Sequence, residues 1–231
     1  MKQVLVSAVV ALVCGFAGAA LWSVSGLGHG QTRTYLVENP DILPQMAEAY
    51  QRQQAQDRLA DVAGEVTQAF PGAVLGNPQG STVLVKFTDY GCGYCRASLP
   101  DVEKLIAENS DLKVVVREWP IFGGSEGAAR MALAAAKQGR YKAFYTAMFQ
   151  ADAPTPENVA AAAQKAGLDM DAARTFATSD EVTRELATNM SIAQSLGFSG
   201  TPSWVVGDQV LEGAVGYEEL AAAVAGAAKP S

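Results

Sequence analysis

The sequence predicts an α/β domain whose sheet is interrupted by a helical insertion between its second and third strands, preceded by an N-terminal helical stalk. Three observations carry this. Residues 81–90, "STVLVKFTDY", and 113–119, "KVVVREW", are β-branched apolar runs of the kind found in buried strands. The stretch from about 121 to 200 holds Ala-rich, helix-forming segments, punctuated by Gly139, Pro154, Gly167 and Asp180. After it, "SWVVGDQVLEGAV" has the pattern of a hairpin turning at Gly207-Asp208. A helix, "RASLPDVEKLIAENS", separates the first two strands, and "YEELAAAVAGAA" closes the chain as another, with "KPS" as a frayed tail.

The bulk numbers suit this architecture. The 231 residues are 49% hydrophobic, enough to bury one sizeable core with an appendage. With 17 basic and 24 acidic residues the formal charge is −7, and no basic run occurs, which argues against a nucleic-acid partner. Three cysteines are too few for a disulfide-dense scaffold, and Cys14 lies apart from the other two in the N-terminal apolar segment.

In chain order, residues 1–22, "MKQVLVSAVVALVCGFAGAALW", join a positive start to an uncharged run. This is the layout of a secretory signal peptide or of an N-terminal membrane anchor. Small residues around Ala17–Ala20 offer a cleavage site; the run's helical length of about 28 Å is close to a bilayer core. Either way the remainder is expected outside the cytoplasm, in the periplasm or cell envelope. Residues 23–34, "SVSGLGHGQTRT", read as a linker in which the lone His29 is solvated. Residues 35–70 read as the helical stalk. Its start falls near Asn39–Asp41 with Pro44 in an early turn; Ile42, Leu43, Met46 and Tyr50, then Leu59, Val62, Val66 and Phe70, follow a helical period. The Gln-rich middle favours a stalk that associates with copies of itself over one that packs on its own domain, though three clean heptads are lacking. The turn-rich "PGAVLGNPQGS" opens the main domain, residues 71–231.

The chemistry concentrates in residues 87–100, "FTDYGCGYCRASLP". Cys92 and Cys95, three apart on a first helical turn, have Cα atoms roughly 5–6 Å apart, inside disulfide range. A bridge there closes almost no loop, so it is a poor structural staple. Helix-start N–H groups favour a thiolate at Cys92, making it the nucleophile, with Cys95 one turn deeper as the resolving thiol. A zinc site needs four Cys or His ligands, and Cys14 and His29 are misplaced to complete one, so no resident metal is expected. Cu(I), which favours two soft thiolates, stays open as a second reading.

These residues resemble the thioredoxin superfamily: Cys92-Gly93-Tyr94-Cys95 with Pro100 five residues on, and "FSGTPSWVV", which is similar to the cis-proline loop and maps it to Thr201-Pro202. The insertion resembles the DsbA-like branch. The resemblance covers about residues 75–231. It implies a thioredoxin fold with a helical lid, a redox-active Cys92–Cys95 disulfide, no other cofactor, and a Thr201-Pro202 loop facing the CxxC where a substrate strand docks. "YLVENPDIL" followed by "VLGNPQGSTVLVKFTDYGCGYC" also resembles the suppressor-of-copper-sensitivity C group, which includes disulfide isomerases linked to copper tolerance and carries an N-terminal oligomerisation segment. A homo-oligomer through the stalk follows from that likeness. Protein substrates, unfolded or misfolded in the envelope, and a membrane thiol reductase or oxidase are the partners it implies.

Direction of exchange rests on the intervening dipeptide. Gly93 and Tyr94 place no cation beside the thiolate, so the pair is expected to be less oxidising than a strong oxidase. Together with Thr201 before the proline, this resembles isomerase members more than the DsbA-like dithiol oxidase. Tyr94 is expected to be exposed and to contact substrates. Asp89 and Glu118 are candidates to tune the thiols, each set against a plainer role: a solvated loop carboxylate or helix cap for Asp89, an exposed strand end for Glu118. Arg96 reads as a surface cation, and Trp119 and Phe122 as core or lid contacts.

Overall fold

The structure, a computed structural model, describes residues 2–24 and 27–228, with side chains apart from those of residues 2, 4, 5, 8, 9 and 22–31. The chain divides into two compact units, Met1–Gln51 and Arg52–Ser231.

In the first unit, α1 spans Lys2–Val24 and α2 spans Leu27–Glu38, and α3, Ile42–Val66, begins. Among the described residues no helix is long and apolar enough to cross a membrane. The expected linker 23–34 is corrected over most of its length, because α2 occupies it from Leu27. Its glycines, Gly28 and Gly30, fall in the first turn, and the better helix formers from Gln31 to Glu38 carry the rest. The side chain of His29 lies outside the described residues, as does the 229–231 tail. Pro44 sits in the first turn of α3, where its missing N–H costs nothing. Leu43, Met46 and Tyr50 are exposed along one face of that helix.

The second unit takes up the rest of α3. Leu59 and Val66 are buried and Val62 partly so, packed with Val85, Phe87, Val115, Trp119, Ile192, Leu196 and Phe198. Arg117 then collects the carbonyls at the end of this helix. It donates to Val66 at 2.9 Å and Gln68 at 2.7 Å, and to Glu65, satisfying acceptors left open where a helix stops. The boundary expected at residue 70 therefore moves to Gln51/Arg52. The Leu59–Phe70 half of the apolar stripe is core of the domain, not a free self-association face.

The sheet is built from β1 (Val74–Gly76), β2 (Thr82–Thr88), β3 (Leu112–Glu118), β4 (Ser203–Val206) and β5 (Gln209–Glu212), in the order β1-β3-β2-β4-β5. Strands β2 and β3 are parallel, with Val85 opposite Val115; the other pairs are antiparallel. β1 was not expected. Three residues between Pro71-Gly72 and Asn77-Pro78 are too short to show a period. The strand forms because Leu75 and Val74 can pair with Val114 and Val115. The insertion thus follows the third strand of the sheet, not the second.

Between β2 and β3 run the short α4 (Gly93–Ala97) and α5 (Leu99–Glu108), with Pro100 in the first turn of α5. The insertion is α6 (Ser125–Lys137), α7 (Tyr141–Gln150), α8 (Pro156–Lys165), α9 (Met170–Ala177) and α10 (Asp180–Leu196), and α11 (Tyr217–Ala227) closes the chain. Three of the four breaks within the insertion fall at Gly139, Pro154 and Gly167, and α9 and α10 part at Thr178-Ser179. Thr155, Asp169 and Ser179 cap α8, α9 and α10 through their side chains. Strand alternation divides β2 between the two faces: Val85 and Phe87 look toward α3 and α10, while Leu84 joins the larger core with α5, α6 and α7. Lys86 and Thr88 share the face of Leu84. That face carries the chemistry.

Candidate active site

Cys92 caps α4: its side chain accepts from the Cys95 backbone N–H at 3.4 Å, and Cys95 lies one turn further on. The turn leading to it is tight. A Cβ on Gly91 would stand 2.8 Å from the Ser125 hydroxyl and 3.3 Å from Asp89 and Phe122, so any side chain there would have to displace the Ser125 hydroxyl. Both thiols are free and buried, and the Cys92 thiol donates to the Thr201 carbonyl at 3.1 Å. The two free thiols are the reduced form of the pair expected to make the redox-active Cys92–Cys95 disulfide.

The Thr201-Pro202 peptide is cis. Its loop is held at both ends: the Gly213 N–H donates to Pro202 O at 2.8 Å, and the Ser203 hydroxyl donates to Gly200 O at 2.7 Å. Thr201 and Pro202 are buried against the CxxC turn, whereas Tyr94 is 70% exposed beside it. The structure thus brings Cys92, Cys95, Thr201 and Pro202 together and leaves Tyr94 facing outward.

Asp89 is neither solvated nor a helix cap. It is buried, and its carboxylate accepts from the backbone N–H groups of Gly91 (2.6 Å), Ile121 (2.6 Å) and Phe122 (2.8 Å). It clamps the loop after β3 onto the CxxC turn. Arg96, expected at the surface, is half-buried and donates to the carbonyls of Ala151 (2.7 Å) and Asp152 (3.2 Å), tying α4 to the insertion. Trp119 packs edge-on against Phe87 in the smaller core, and Phe122 stays half-exposed beside Gly91.

Glu118 is fully buried at the end of β3, not an exposed strand end. It accepts hydrogen bonds from Tyr141 (2.7 Å) and Tyr90 (2.9 Å), both on one oxygen, and its other oxygen has no partner. Burial pushes its carboxyl up to about 8, against the pull of the two tyrosines. Burial also raises the Cys95 thiol; the Lys86 ammonium, the Thr88 hydroxyl, the Asp89 N–H and the Thr201 hydroxyl oppose it, in that order. The Thr88 and Thr201 hydroxyls make no conventional hydrogen bond of their own, so both are available to a thiolate.

Sequence reasoning missed Lys86. It lies on the same face as Leu84, fully buried, and donates to Ser98 Oγ and to Tyr145 OH, both at 3.0 Å. The signal was present: a lysine in the middle of a run otherwise fit for a buried strand is an anomaly. Its tyrosine partner, 59 residues away, carried no local mark. Two thiolates at this turn would also suit a soft Cu(I) ion.

The chain matches the DSBA-like thioredoxin domain family over residues 83–225. Among solved structures it is similar to a thioredoxin-like oxidoreductase from Silicibacter pomeroyi DSS-3, at 42% identity and a TM-score of 0.66, covering 68% of this chain and 92% of that one. It is similar to Proteus mirabilis ScsC in a transitional conformation, at 25% identity and a TM-score of 0.67, covering 89% and 97%. A periplasmic thioredoxin-like protein from Salmonella enterica serovar Typhimurium matches at 26% identity and a TM-score of 0.64, covering 72% and 95%. Among curated proteins, 155 residues are 27% identical to the Na(+)/H(+) antiporter NhaA 3 of Salinispora tropica, 65% of this chain. The chain spans about a quarter of the length of the curated relatives it matches, 24% in each case.

Proposed function

We propose that this chain, which belongs to the family of DSBA-like thioredoxin domains, is a thiol–disulfide oxidoreductase of the cell envelope that acts on protein disulfides more as an isomerase or reductase than as a strong oxidase. The fold is that of a DsbA-like thiol–disulfide oxidoreductase. The observation that carries the reading is the Cys92 thiol bonded at 3.1 Å to the Thr201 carbonyl, 109 residues away. A nucleophile and a strand-docking loop meet there.

In the proposed reaction the Cys92 thiolate attacks one sulfur of a substrate disulfide. A Cys92–substrate bond forms, and the other substrate sulfur leaves as a thiolate. Either a second substrate thiolate then attacks the Cys92-linked substrate sulfur, which rearranges the substrate and frees Cys92, or Cys95 loses its proton to water and attacks Cys92. The second route forms the Cys92–Cys95 bond, releases the substrate as a thiolate and leaves it reduced by two electrons. Isomerisation needs the first route and a reduced resting enzyme, hence a membrane reductase as partner. The absence of a cation at Gly93 and Tyr94 supports this direction over the dithiol oxidase. Tyr94, exposed beside Cys92, offers an aromatic contact to the substrate chain.

Envelope placement draws on the apolar segment at residues 4–22 and on the periplasmic relative from Salmonella. The exposed Leu43, Met46 and Tyr50 support a homo-oligomer through the N-terminal unit. Copper tolerance is a second reading, in which two adjacent free thiols hold Cu(I).

Scrambled, disulfide-mismatched ribonuclease and reduced ribonuclease separate these readings. Recovery of activity from the scrambled protein, lost in Cys92→Ser, is the expected result. Recovery only from the reduced protein would make the chain an oxidase. Recovery from neither, with stoichiometric Cu(I) uptake, would favour metal binding.

A further inference from the structure

Lys86 is a buried cation with no ion-pair partner among the described residues. Its three donors reach Tyr145 OH at 3.0 Å, Ser98 Oγ at 3.0 Å and the Cys95 carbonyl at 3.5 Å, all neutral acceptors. The rings of Trp204, at 5.1 Å, and of Tyr145 and Phe149, each at 5.8 Å, surround the ammonium. Among the described residues no carboxylate lies within ion-pair distance of it. Leaving a charge buried and unpaired is costly, and an apolar residue of this size would fill the same aromatic box without that cost. The link to the site is direct: Ser98 Oγ, which accepts from Lys86, donates in turn to Cys95 O at 2.8 Å.

We propose that Lys86 is a positioning residue for the thiol chemistry, its ammonium serving as the standing counter-charge for the thiolates of the CxxC pair and so favouring their reduced form. The titratable groups around it are Cys95 and Cys92 at the turn, Glu118 on β3 and Tyr145 on α7. Glu118 is occupied by its own two tyrosine donors. The thiols are the groups whose charge changes during exchange. Burial lowers Lys86 to about 8, with Cys95, Cys92 and Glu118 pulling it back up, so the ammonium persists at neutral pH. When Cys95 gives its proton to water and attacks Cys92, the negative charge passes from Cys95 to the departing substrate sulfur. The ammonium stabilises the state before that step, with no proton taken or given by Lys86. This ammonium acts from the buried side of the pair, chiefly on Cys95, and leaves the Gly93-Tyr94 side of Cys92 without a cation.

This rests on the thiol–disulfide reading, and one experiment separates the two. The full chain, Lys86→Met and Lys86→Gln are equilibrated in glutathione buffers at pH 7, quenched by alkylation, and the Cys92–Cys95 disulfide is read by mass spectrometry. Lys86→Met is expected to shift the equilibrium about ten-fold toward the disulfide. Lys86→Gln, which keeps a hydrogen-bond donor but no charge, is expected to shift it the same way, and decides the matter alone if the methionine variant fails to fold. A glutamine variant within two-fold of the parent, or a shift toward the dithiol, overturns the inference. A parent chain that forms no Cys92–Cys95 disulfide in any buffer overturns the thiol–disulfide reading itself.

Discussion

Glu118 and Lys86 place two ionisable groups in one apolar chamber, and burial drives each toward its neutral form. The consequences for stability have opposite windows. Folded Glu118 holds its proton up to about 8, whereas the unfolded chain releases it near 4.5. Its contribution is therefore full below pH 4.5, is lost as pH rises toward 8, and is level beyond. Folded Lys86 sheds its proton near 8, the unfolded chain near 10.5, so its burial cost is present below pH 8 and relieved between 8 and 10.5. Thermal unfolding midpoints of Glu118→Gln are expected to fall less between pH 5 and 8 than those of the parent. Lys86→Met is expected to lose the rise above pH 8. Parallel parent and variant curves would show that neither group is shifted. The CxxC itself was plain in the sequence, because its spacing is local. The burial of Asp89 and Glu118 was not, because each is decided by partners from elsewhere: the Ile121 and Phe122 amides 32 and 33 residues on for Asp89, and Tyr141 23 residues on for Glu118.

Among elements, α3 carries one apolar stripe with two fates. Leu59 packs in the smaller core, while Met46, a few turns earlier, is 55% exposed. Leu59→Ala is expected to cost about 3 kcal/mol of unfolding free energy, and Met46→Ala to stay within about 0.5 kcal/mol of the parent, by urea denaturation. Equal costs would mean that the helix is used uniformly along its length. The period of the stripe was readable, but a period says only that a face is apolar, not what covers it. The covering residues of Leu59 come from β2, β3 and α10, and Arg117, in the middle of the sequence, closes the helix end. Strand β1 was hidden for a related reason, since three residues form a strand only where an edge of β3 is offered to them.

For the whole molecule, the division at Gln51/Arg52 leads to a comparison of two truncations. A chain beginning at Arg52 is expected to keep cooperative unfolding and glutathione exchange and to sediment as a monomer, while the full chain sediments as an oligomer. A chain beginning at residue 71 strips Leu59 and Val66 from the smaller core and is expected to unfold. An Arg52 chain that remains oligomeric would place self-association in the domain itself. The sequence by itself determined the α/β class, the positions of the insertion's helices and the pairing of two cysteines on one helical turn. These depend on short-range properties: side-chain period, capping residues, helix breakers and a four-residue motif. Only the tertiary structure decided that half the stalk helix is core, that Asp89 is a clamp, and that an unpaired lysine sits beneath the cysteines. Those outcomes depend on which distant segments the sheet order brings onto the same face, and sheet order is a property of the folded chain as a whole.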